Sequence, residues 1–358
     1  MRVEEPSRAL AARTTLRVGG PAARLVTVES ADELVDAVRE VDDAQERLLV
    51  LGGGSNVVLP DEGFDGTVVA VATRGVRVES ADACSGASVR VAAGEPWDGI
   101  VERAVAEGWS GIESLSGIPG STGATPVQNV GAYGQEVAQT IAQVRVWDRV
   151  AGAVRTFSAQ DCQFRYRHSL FKLSPERYVV LDVLFQLRLS EASQPVGYAD
   201  LAAGLGVEIG ARVPLAEARE AVLAQRRRRG MVLDEADHDT WSCGSFFTNP
   251  LLSPEQFDAL QGRVTAYLGQ GEAPPRFADP HGAVKTSAAW LIERAGFGKG
   301  YGLPGPAALS TKHTLAVTNR GTARAADVLA LAREVRDGVA ERFGITLVNE
   351  PVLVGQSL

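Results

Sequence analysis

Residues 117–134, GIPGSTGATPVQNVGAYG, form the stretch that decides how this sequence is interpreted. It has a glycine every few residues, two prolines, and no Lys, Asp, Glu or His. Glycine weakens the interiors of both helices and strands, so the stretch predicts a long, shaped loop. Such a loop lets backbone N–H groups approach a flat or anionic ligand closely. A plain glycine-rich turn remains the alternative at this point.

An earlier glycine-rich stretch, LGGGSNVVLPD, spans residues 51–61. A Walker A loop would need Lys-Ser or Lys-Thr after its last glycine, and a Rossmann loop would need a following helix. Here Gly54 is followed by Ser-Asn and then a β-branched run, so both motifs are excluded. The pattern predicts a strand–turn–strand hairpin able to wrap a diphosphate, or a plain turn. Two uncharged loops of this kind in one chain favour a nucleotide cofactor.

The length and composition are those of an ordinary globular chain. Its 358 residues are enough for two or three domains. A formal net charge of -8 argues against nucleic acid or an anionic membrane as the main partner. The first residues carry no apolar leader, and no later run is long enough to cross a bilayer, so a cytoplasmic protein is expected. Three scattered cysteines without CxxC spacing predict neither a disulfide framework nor a metal site; they are Cys84, Cys162 and Cys243.

Hydrophobic periodicity predicts a mixture of helices and strands, and therefore an α+β fold. A new unit is expected to begin near Trp241, after a helix that Gly230 closes. The predicted helices span residues 30–41, 96–107, 214–229, 253–269, 288–295 and 323–343. The predicted strands span residues 47–51, 66–73, 89–93, 144–148, 154–157, 178–189 and 344–354.

Several motifs, in the same order over most of the chain, resemble those of the bacterial UDP-N-acetylenolpyruvoylglucosamine reductases, the MurB family. Motifs in order are far more specific than any single glycine loop. They are GGGSN at 52–56, the 117–134 loop, RYRHSLFK at 165–172, GSFFTNP at 244–250, KTSAAWLIERAGFGKGYGLPGPAALSTKHTLAVTN at 285–319 and NEPVLVG at 349–355.

The resemblance implies a fold and an activity. The fold is the FAD-binding fold of the vanillyl-alcohol oxidase-like (PCMH-type) superfamily, in two subdomains, plus a C-terminal α+β substrate-binding domain. The subdomains are expected at 1–75, completed by a C-terminal strand at 345–358, and at 76–220, with the substrate-binding domain at 221–344. The implied reaction is the NADPH-dependent, FAD-mediated reduction of UDP-N-acetylglucosamine enolpyruvate to UDP-N-acetylmuramate in peptidoglycan precursor synthesis. The implied partners are the UDP-sugar and NADPH. The protein is expected to be a monomer.

The resemblance also implies how FAD is held. Its pyrophosphate is expected on Gly52–Asn56, with the second loop along the isoalloxazine and ribityl chain. Many oxidases of the superfamily bond FAD covalently through histidine, but the four histidines here lie outside both loops, so non-covalent FAD is expected. The implied cofactor-binding residues are Gly52, Gly53, Gly54, Ser55, Asn56, Gly117, Ile118, Pro119, Gly120, Gly123, Gln128, Asn129, Gly131, Ala132 and Tyr133.

Three residues match the catalytic positions of the family. Arg167 would bind the substrate carboxylate, because a planar guanidinium can donate two parallel hydrogen bonds. Ser245 would be the proton donor, and Glu350 the second acidic or polarising group at the reacting centre. The three are expected to meet at the edge of the 117–134 loop. Without the resemblance, they would be interpreted as a surface arginine, a turn serine and a solvent-facing carboxylate.

Five further residues match substrate-contacting positions: Tyr166, Tyr198, Arg229, Asn249 and Lys285. Tyr198 places the chain in the branch whose tyrosine-bearing loop closes over the substrate. Many members have lysine where Arg229 stands, which leaves open whether this residue contacts NADPH, substrate or neither. Lys285 is a candidate for the UDP diphosphate.

Two alternatives remain on the sequence alone. A carbohydrate or alcohol oxidase of the same flavin superfamily would share the glycine loops but should lack the GSFFTNP, Tyr-Arg and terminal Glu-Pro motifs, which are all present. A catalytically inactive nucleotide-binding module would keep the loops and lose Arg167, Ser245 and Glu350, and all three are present.

Overall fold

The computed structural model describes residues 2–4, 9–279 and 282–358, in which the chain forms two compact units. The first unit contains the N-terminal strand together with residues 21–54 and 64–232. His281, one of the four histidines, lies outside the described residues.

The second unit is assembled from three separate parts of the chain, which are residues 9–20, 55–63 and 233–358. The division into two FAD-binding subdomains and a substrate-binding domain, at 1–75 with 345–358, at 76–220 and at 221–344, stays a prediction.

A small mixed sheet with one covering helix opens the first unit. Its order is β1-β2-β5-β3, with β5 parallel to both β2 and β3 and with β1 antiparallel to β2. Helix α1 (Ala31–Asp43) buries Leu34 and Val38 against this sheet, and Ser30 caps it by accepting from the N–H of Glu33. The strands are β1 (Arg2–Glu4), β2 (Ala22–Val28), β3 (Leu48–Leu51) and β5 (Phe64–Val71); β4 (Val57–Val58) belongs to the second unit.

A larger antiparallel sheet follows, in the order β12-β11-β13-β7-β6, with β8 paired to the end of β13. Helix α2 (Trp97–Ala106) buries Trp97 and Val101 in a core with the inner side chains of this sheet. The strands are β6 (Val76–Asp82), β7 (Gly86–Ala92), β8 (Trp109–Ser110), β11 (Ile141–Asp148), β12 (Ala153–Ser158) and β13 (Tyr178–Leu189).

The first unit also contains a short hairpin and three further helices. The hairpin is β9 (Gly131–Ala132) with β10 (Gln135–Glu136), at the end of the second glycine loop. The helices are α3 (Leu170–Leu173), α4 (Ala199–Leu205) and α5 (Leu215–Arg228).

In its described residues, the second unit has three α-helices around one apolar core and three small sheets. Phe246, Phe247, Leu291 and Val335 lie in that core. The helices are α6 (Pro254–Leu268), α7 (Ala288–Arg294) and α8 (Ala325–Phe343). The sheets are β14 (Leu251–Leu252) and β15 (Phe277–Ala278) on either side of β16 (Val284–Lys285), β17 (Ala307–Leu309) with β18 (Val317–Asn319), and β19 (Val352–Leu353) parallel to β4.

The structure confirms the predicted α+β fold and all six predicted helices, with ends shifted by one or two residues. Two strand predictions are wrong. The first glycine loop does not close a hairpin, because β3 pairs with β5 while β4 pairs with β19. The strand predicted at 344–354 shrinks to β19, because Gly344 ends α8 in a left-handed conformation and the residues up to 351 form loop structure. In the described part of the chain, no helix combines the length and the apolar character needed to span a bilayer.

One buried carboxylate gives the first unit a specific dependence on pH. Asp148, at the end of β11, accepts hydrogen bonds from Nε and Nη2 of Arg177 at 2.9 and 2.8 Å, from Nη1 of Arg155 at 3.1 Å, and from two backbone N–H groups. The hydrogen bonds from Arg177 hold the pKa of Asp148 far below its ordinary range, even though burial opposes this. The stabilisation is therefore present above the unfolded-state pKa of about 3.9 and is lost as the pH falls below it.

We expect Asp148→Asn to lower the melting temperature at pH 7, because the neutral amide leaves two arginines without their carboxylate. The difference in melting temperature between the wild type and Asp148→Asn should narrow as the pH falls from 5 to 3. Over that range the wild type loses the stabilisation that the charge of Asp148 provides. Thermal unfolding followed by circular dichroism at each pH measures this, with the exposed Asp43→Asn as the matched control. A gap of constant size across that range would contradict the assignment.

Candidate functional site

The two glycine loops contact each other inside the first unit. A Cβ added at Gly52 would lie 2.3 Å from Oγ of Ser121, and one added at Gly53 would lie 2.6 Å from Cα of Gly120. Neither distance is compatible with a side chain, so the two main chains approach as closely as glycine allows. The close approach explains why both stretches are rich in glycine.

The contact between the loops leaves main-chain donors available. Among the described residues, the N–H groups of Gly53, Gly54, Gly120 and Ser121 donate to no acceptor in the chain. Backbone N–H groups gathered in this way form an anion-binding concavity. The donor set fits the pyrophosphate of FAD, which the sequence predicts here.

The opposite side of the second loop is fixed to the segment that joins β7 to α2 and to the first residue of α2. The N–H groups of Thr122 and Gly123 donate to the carbonyls of Glu95 and Ala93, both at 2.8 Å, and the Gly120 carbonyl accepts from Trp97 at 3.0 Å. The predicted cofactor residues Ile118, Pro119, Gln128 and Ala132 are half-buried along the loop. The loop therefore has one anchored edge and one edge with unused donors.

Tyr133 stands at the tip of the β9–β10 hairpin. Tyr133 and Gly134 have φ of 49° and 86°, the left-handed pair that a type I′ turn requires and that is unusual for tyrosine. Its ring meets the ring of Tyr198 edge-on, with centroids 5.9 Å apart. Burial raises the pKa of Tyr133, although Arg226 and Arg229 oppose the shift. The structure thus brings a predicted cofactor residue next to a predicted substrate residue.

The side chain of Asn129 serves the loop itself. Its Nδ2 donates to Oε2 of Glu136 at 2.7 Å and to the Arg165 carbonyl at 3.2 Å, and its Oδ1 accepts from the N–H of Ala138 at 3.1 Å. Asn129 is buried, and its φ of 49° is left-handed. Any contact between this residue and the cofactor, which remains a prediction, therefore falls to its main chain.

Arg167 lies against the second glycine loop. Arg165 and His168 exchange two backbone hydrogen bonds of 3.1 Å, so Tyr166 and Arg167 are the central residues of a tight turn. Arg167 has a φ of 51° there, a conformation that a non-glycine residue rarely adopts and that often marks a functional site. Its Nη1 and Nη2 donate to the carbonyls of Asn129 and Gly131 at 3.3 and 2.9 Å. The Tyr166 ring lies 5.4 Å from the guanidinium.

Helix α5 brings two arginines towards the same loop, and sequence reasoning selected only one of them. Arg229, the predicted residue, forms an ion pair of 2.6 Å with Asp200 of α4. Arg226 was missed, yet its Nε would lie only 3.5 Å from a Cβ added at Gly117. The signal was available, because residue 226 follows the buried Arg219, Val222 and Leu223 at spacings of seven, four and three.

Ser245 and Glu350 lie on adjoining segments of the second unit. The N–H of Glu350 donates to the carbonyl of Phe246, the residue after Ser245, at 2.8 Å. The N–H of Phe246 in turn donates to the Leu315 carbonyl at 2.7 Å. Nδ2 of Asn56 reaches the Glu350 carbonyl at 3.4 Å. Two predicted catalytic residues and one predicted cofactor residue are thus held close together, whereas Arg167 belongs to the first unit.

Asn249 and Lys285 lie in the same unit as Ser245. Oδ1 of Asn249 accepts from the N–H of Ala288 at 3.0 Å, at the start of α7. Lys285 is the central residue of the three-stranded sheet, paired on its two sides with Leu251 and Phe277. The contact of both side chains with the substrate stays a prediction. Ser55 begins the 55–63 segment of this unit.

Comparison with known proteins assigns the family. Residues 235–354 match the model of the UDP-N-acetylenolpyruvoylglucosamine reductase C-terminal domain, and residues 22–158 match an FAD-binding domain model. The UDP-N-acetylenolpyruvoylglucosamine reductase of Thermobifida fusca is 58% identical over 349 residues, which cover 98% of this chain and 97% of that protein. This chain belongs to the UDP-N-acetylenolpyruvoylglucosamine reductase family.

Other members of this reductase family agree over the same length. The UDP-N-acetylenolpyruvoylglucosamine reductase of Streptomyces coelicolor is 57% identical, covering 98% of this chain and 90% of that protein. The crystal structure of the reductase (MurB) from Thermus caldophilus superposes with a TM-score of 0.65 at 27% identity, over 99% of each chain. The FAD-binding fold and the C-terminal domain expected from the sequence are confirmed by these matches.

Proposed function

We propose that this chain reduces UDP-N-acetylglucosamine enolpyruvate to UDP-N-acetylmuramate with NADPH as the reductant, as a step of peptidoglycan precursor synthesis. The observation that carries the proposal is the backbone hydrogen bond between Glu350 and Phe246, which holds Glu350 beside Ser245. Reduction of an enolpyruvyl double bond needs a proton donor and a polarising group at one place. Family membership over nearly the whole chain supports the same reaction.

Each half of the proposed reaction needs particular groups. When bound, FAD supplies the two-electron chemistry, which takes a hydride from NADPH and delivers one to the terminal carbon of the enolpyruvyl group. The main-chain donors of Gly53, Gly54, Gly120 and Ser121 would hold the pyrophosphate of the cofactor. None of the four histidines of the sequence lies in either glycine loop, which supports a dissociable cofactor.

The substrate carboxylate is assigned to Arg167. After hydride delivery, negative charge develops on the α carbon and spreads into the carboxylate, so a fixed cation there lowers the barrier. The guanidinium of Arg167 is held by the carbonyls of Asn129 and Gly131, which orients it before substrate binds. Tyr166, stacked beside it, and Tyr198, beside Tyr133, are assigned to substrate contacts.

The proton for the α carbon is assigned to Ser245, whose Oγ–H bond breaks as the new C–H bond forms. A serine hydroxyl is a weak acid, so it can protonate only a strongly basic enolate that lies beside it. The segment is held rigid on both sides of Ser245, by the bond from Gly244 N–H to Oγ of Ser242 at 3.1 Å and by the bond from Phe246 to Leu315. Glu350 is assigned the polarising role at the same centre, and Asn249 and Lys285 are assigned to the UDP-sugar.

The cysteines and the proposed reaction indicate the cellular compartment of the protein. The three cysteines of the described chain are free thiols, and burial raises the pKa of both Cys162 and Cys243 to about 12. Free thiols and a NADPH-dependent reaction suit a reducing cytoplasm. We assign the protein to that compartment, as a monomer that binds small molecules only.

Anaerobic stopped-flow spectroscopy tests the proposed function. We expect a yellow protein whose flavin absorbance near 450 nm is bleached by NADPH and restored by the enolpyruvyl UDP-sugar, in proportion to the product formed. The control is the same bleached enzyme mixed with UDP-N-acetylglucosamine, which lacks the double bond and should restore nothing. A colourless protein after expression with ample FAD, or reoxidation by oxygen alone, would refute the proposal.

A further inference from the structure

Glu113 is a buried carboxylate that three separate parts of the first unit share. It is only 1% exposed. Its Oε2 accepts from the N–H of Gly111 at 2.6 Å, and its Oε1 accepts from Nε2 of Gln135 at 2.9 Å and from the N–H of Gln194 at 2.6 Å. Because a carboxylate removed from water is costly unless its oxygens are hydrogen-bonded, these three neutral donors are needed where they are.

The donor from Gln135 fixes the β9–β10 hairpin. Gln135 is the first residue of β10, directly after the turn formed by Tyr133 and Gly134. Its side-chain amide is held at both ends, because Nε2 donates to Glu113 while Oε1 accepts from the N–H of Ser114 at 2.8 Å. The hairpin that carries Tyr133 is therefore attached to the short 3-10 helix that begins with Glu113.

The donor from Gln194 fixes the start of the tyrosine segment, which we define as residues 194–198. The N–H of Gln194 donates to Glu113, and its Nε2 donates to Oγ of the buried Ser110 at 3.1 Å. The first residue of the segment is therefore held through its main chain and through its side chain.

The last residue of the tyrosine segment, Tyr198, rests on the hairpin. Its ring meets that of Tyr133 edge-on, with centroids 5.9 Å apart, and a Cβ added at Gly134 would lie 3.9 Å from two of its ring carbons. Tyr198 is nevertheless 49% exposed, so half of it is open to a ligand. The position of this ring depends on the hairpin and on the tyrosine segment, and both are attached to Glu113.

We infer that Glu113 is a positioning residue that sets where the ring of Tyr198 lies for the substrate. It does so by holding the Tyr133 hairpin and the tyrosine segment on one oxygen atom, Oε1. A shift of either one away from the other breaks a hydrogen bond to that atom. The inference rests on the proposed function, which assigns Tyr198 to the substrate.

Two variants weaken this attachment in different ways. Glu113→Gln keeps the volume of the side chain, but its NH₂ group must face either the donor from Gly111 or the two donors at the other oxygen. Gln135→Met keeps the carboxylate and a side chain of similar length, and it detaches only the hairpin. The second variant keeps the inference testable if the first folds poorly.

Asp182→Asn is the matched control. Asp182 is also a buried carboxylate of the first unit, but it accepts from Arg90 and Arg145 within the large sheet, at 2.8 and 2.5 Å. Its replacement should lower the melting temperature and leave both the hairpin and the tyrosine segment attached to Glu113.

The first readout is amide hydrogen exchange of the FAD-loaded enzyme without substrate, followed by mass spectrometry of peptides. We expect Glu113→Gln to speed exchange about tenfold in peptides that cover residues 131–136 and 194–201, since groups that open more often exchange faster. Asp182→Asn should leave these two peptides as protected as in the wild type. Unchanged protection of both peptides in Glu113→Gln would overturn the inference.

The second readout is a double-mutant cycle with Tyr198→Ala, measured as the KM for the enolpyruvyl UDP-sugar. We expect Glu113→Gln and Gln135→Met each to raise this KM about tenfold and to keep kcat within about threefold, because binding is weakened more than the chemical step. In the Tyr198→Ala background, Glu113→Gln should raise KM by less than about twofold further, since residues that act together are not additive. An equal rise in both backgrounds would show that Glu113 acts independently of Tyr198 and would overturn the inference.

Failure of the proposed function would give a different result. A wild type that turns over the UDP-sugar with a KM that Glu113→Gln leaves unchanged would overturn the inference alone. A wild type whose reduced flavin the UDP-sugar does not reoxidise would refute the proposed function, and the inference with it.

Discussion

Replacing Ser245 with alanine should slow reoxidation of the bleached flavin by the enolpyruvyl substrate by roughly 1,000-fold, because general acid catalysis contributes about 10²–10⁴ in rate. The reduction by NADPH should keep its rate within about twofold, since the hydride moves without the serine proton. The informative result is the difference between the effects on the two half-reactions. Double-mixing stopped-flow at 450 nm measures the rates of both. The side chain is small, and its neighbours are fixed by main-chain bonds, so little structural change is expected.

Ser253→Ala is the matched control for this variant. Ser253 lies in the same unit, where its hydroxyl caps α6 by accepting from the N–H of Gln256 at 3.2 Å. Its loss should cost about 1 kcal/mol of stability and leave both half-reactions unchanged. An equal slowing of both halves in Ser245→Ala would show that Ser245 shapes the site instead of donating the proton.

Replacing Gly53 with alanine should weaken FAD binding by about 100-fold or more, which corresponds to about 2.7 kcal/mol. The new methyl group would lie 2.6 Å from Cα of Gly120, and a main-chain atom cannot move aside as the end of a side chain can. The loops must separate, and the four main-chain donors proposed to hold the pyrophosphate separate with them. Titration of the apo-protein with FAD, followed by quenching of flavin fluorescence, gives the dissociation constant.

Gly99→Ala provides the control with the same chemical change. Gly99 is in α2 of the same unit, and a Cβ there would meet nothing within 4 Å. Alanine in a helix is favoured over glycine by about 1 kcal/mol, so this variant should be slightly more stable and bind FAD normally. If Gly53→Ala bound FAD as tightly as Gly99→Ala, the contact between the loops would have no part in holding the cofactor.

The sequence predicted the helices well because their apolar spacing is local. In the structure, Ser30 and Ser253 cap the starts of α1 and α6, and Gly344 ends α8. The strands at 47–51 and 57–58 were misassigned as one hairpin, because strand partners are chosen by distant parts of the chain. Val57 pairs with Val352, and a separation of almost 300 residues leaves no mark in the local pattern.

The candidate site was predicted in its residue types more than in its contacts. The glycine loops were correctly singled out, but only the structure places Gly53 against Gly120. In the run Arg226–Arg229, composition gives four equivalent cations. Packing distinguishes them, because Nε of Arg226 would lie 3.5 Å from a Cβ added at Gly117, whereas Arg227 and Arg228 are exposed. The resemblance selected Arg229 by position, whereas the geometry shows that Arg226 packs against Gly117.

The three-part construction of the second unit has a consequence for synthesis and for dissection of the protein. Its core contains Leu16, Val18 and Val58 together with the residues beyond 233, so the early segments must wait for nearly the whole chain to leave the ribosome. A fragment that begins at residue 233 would expose the apolar surface those segments cover and would lack the partner of β19. We expect such a fragment to aggregate, whereas adding residues 9–20 and 55–63 as a separate tethered peptide should recover a folded unit.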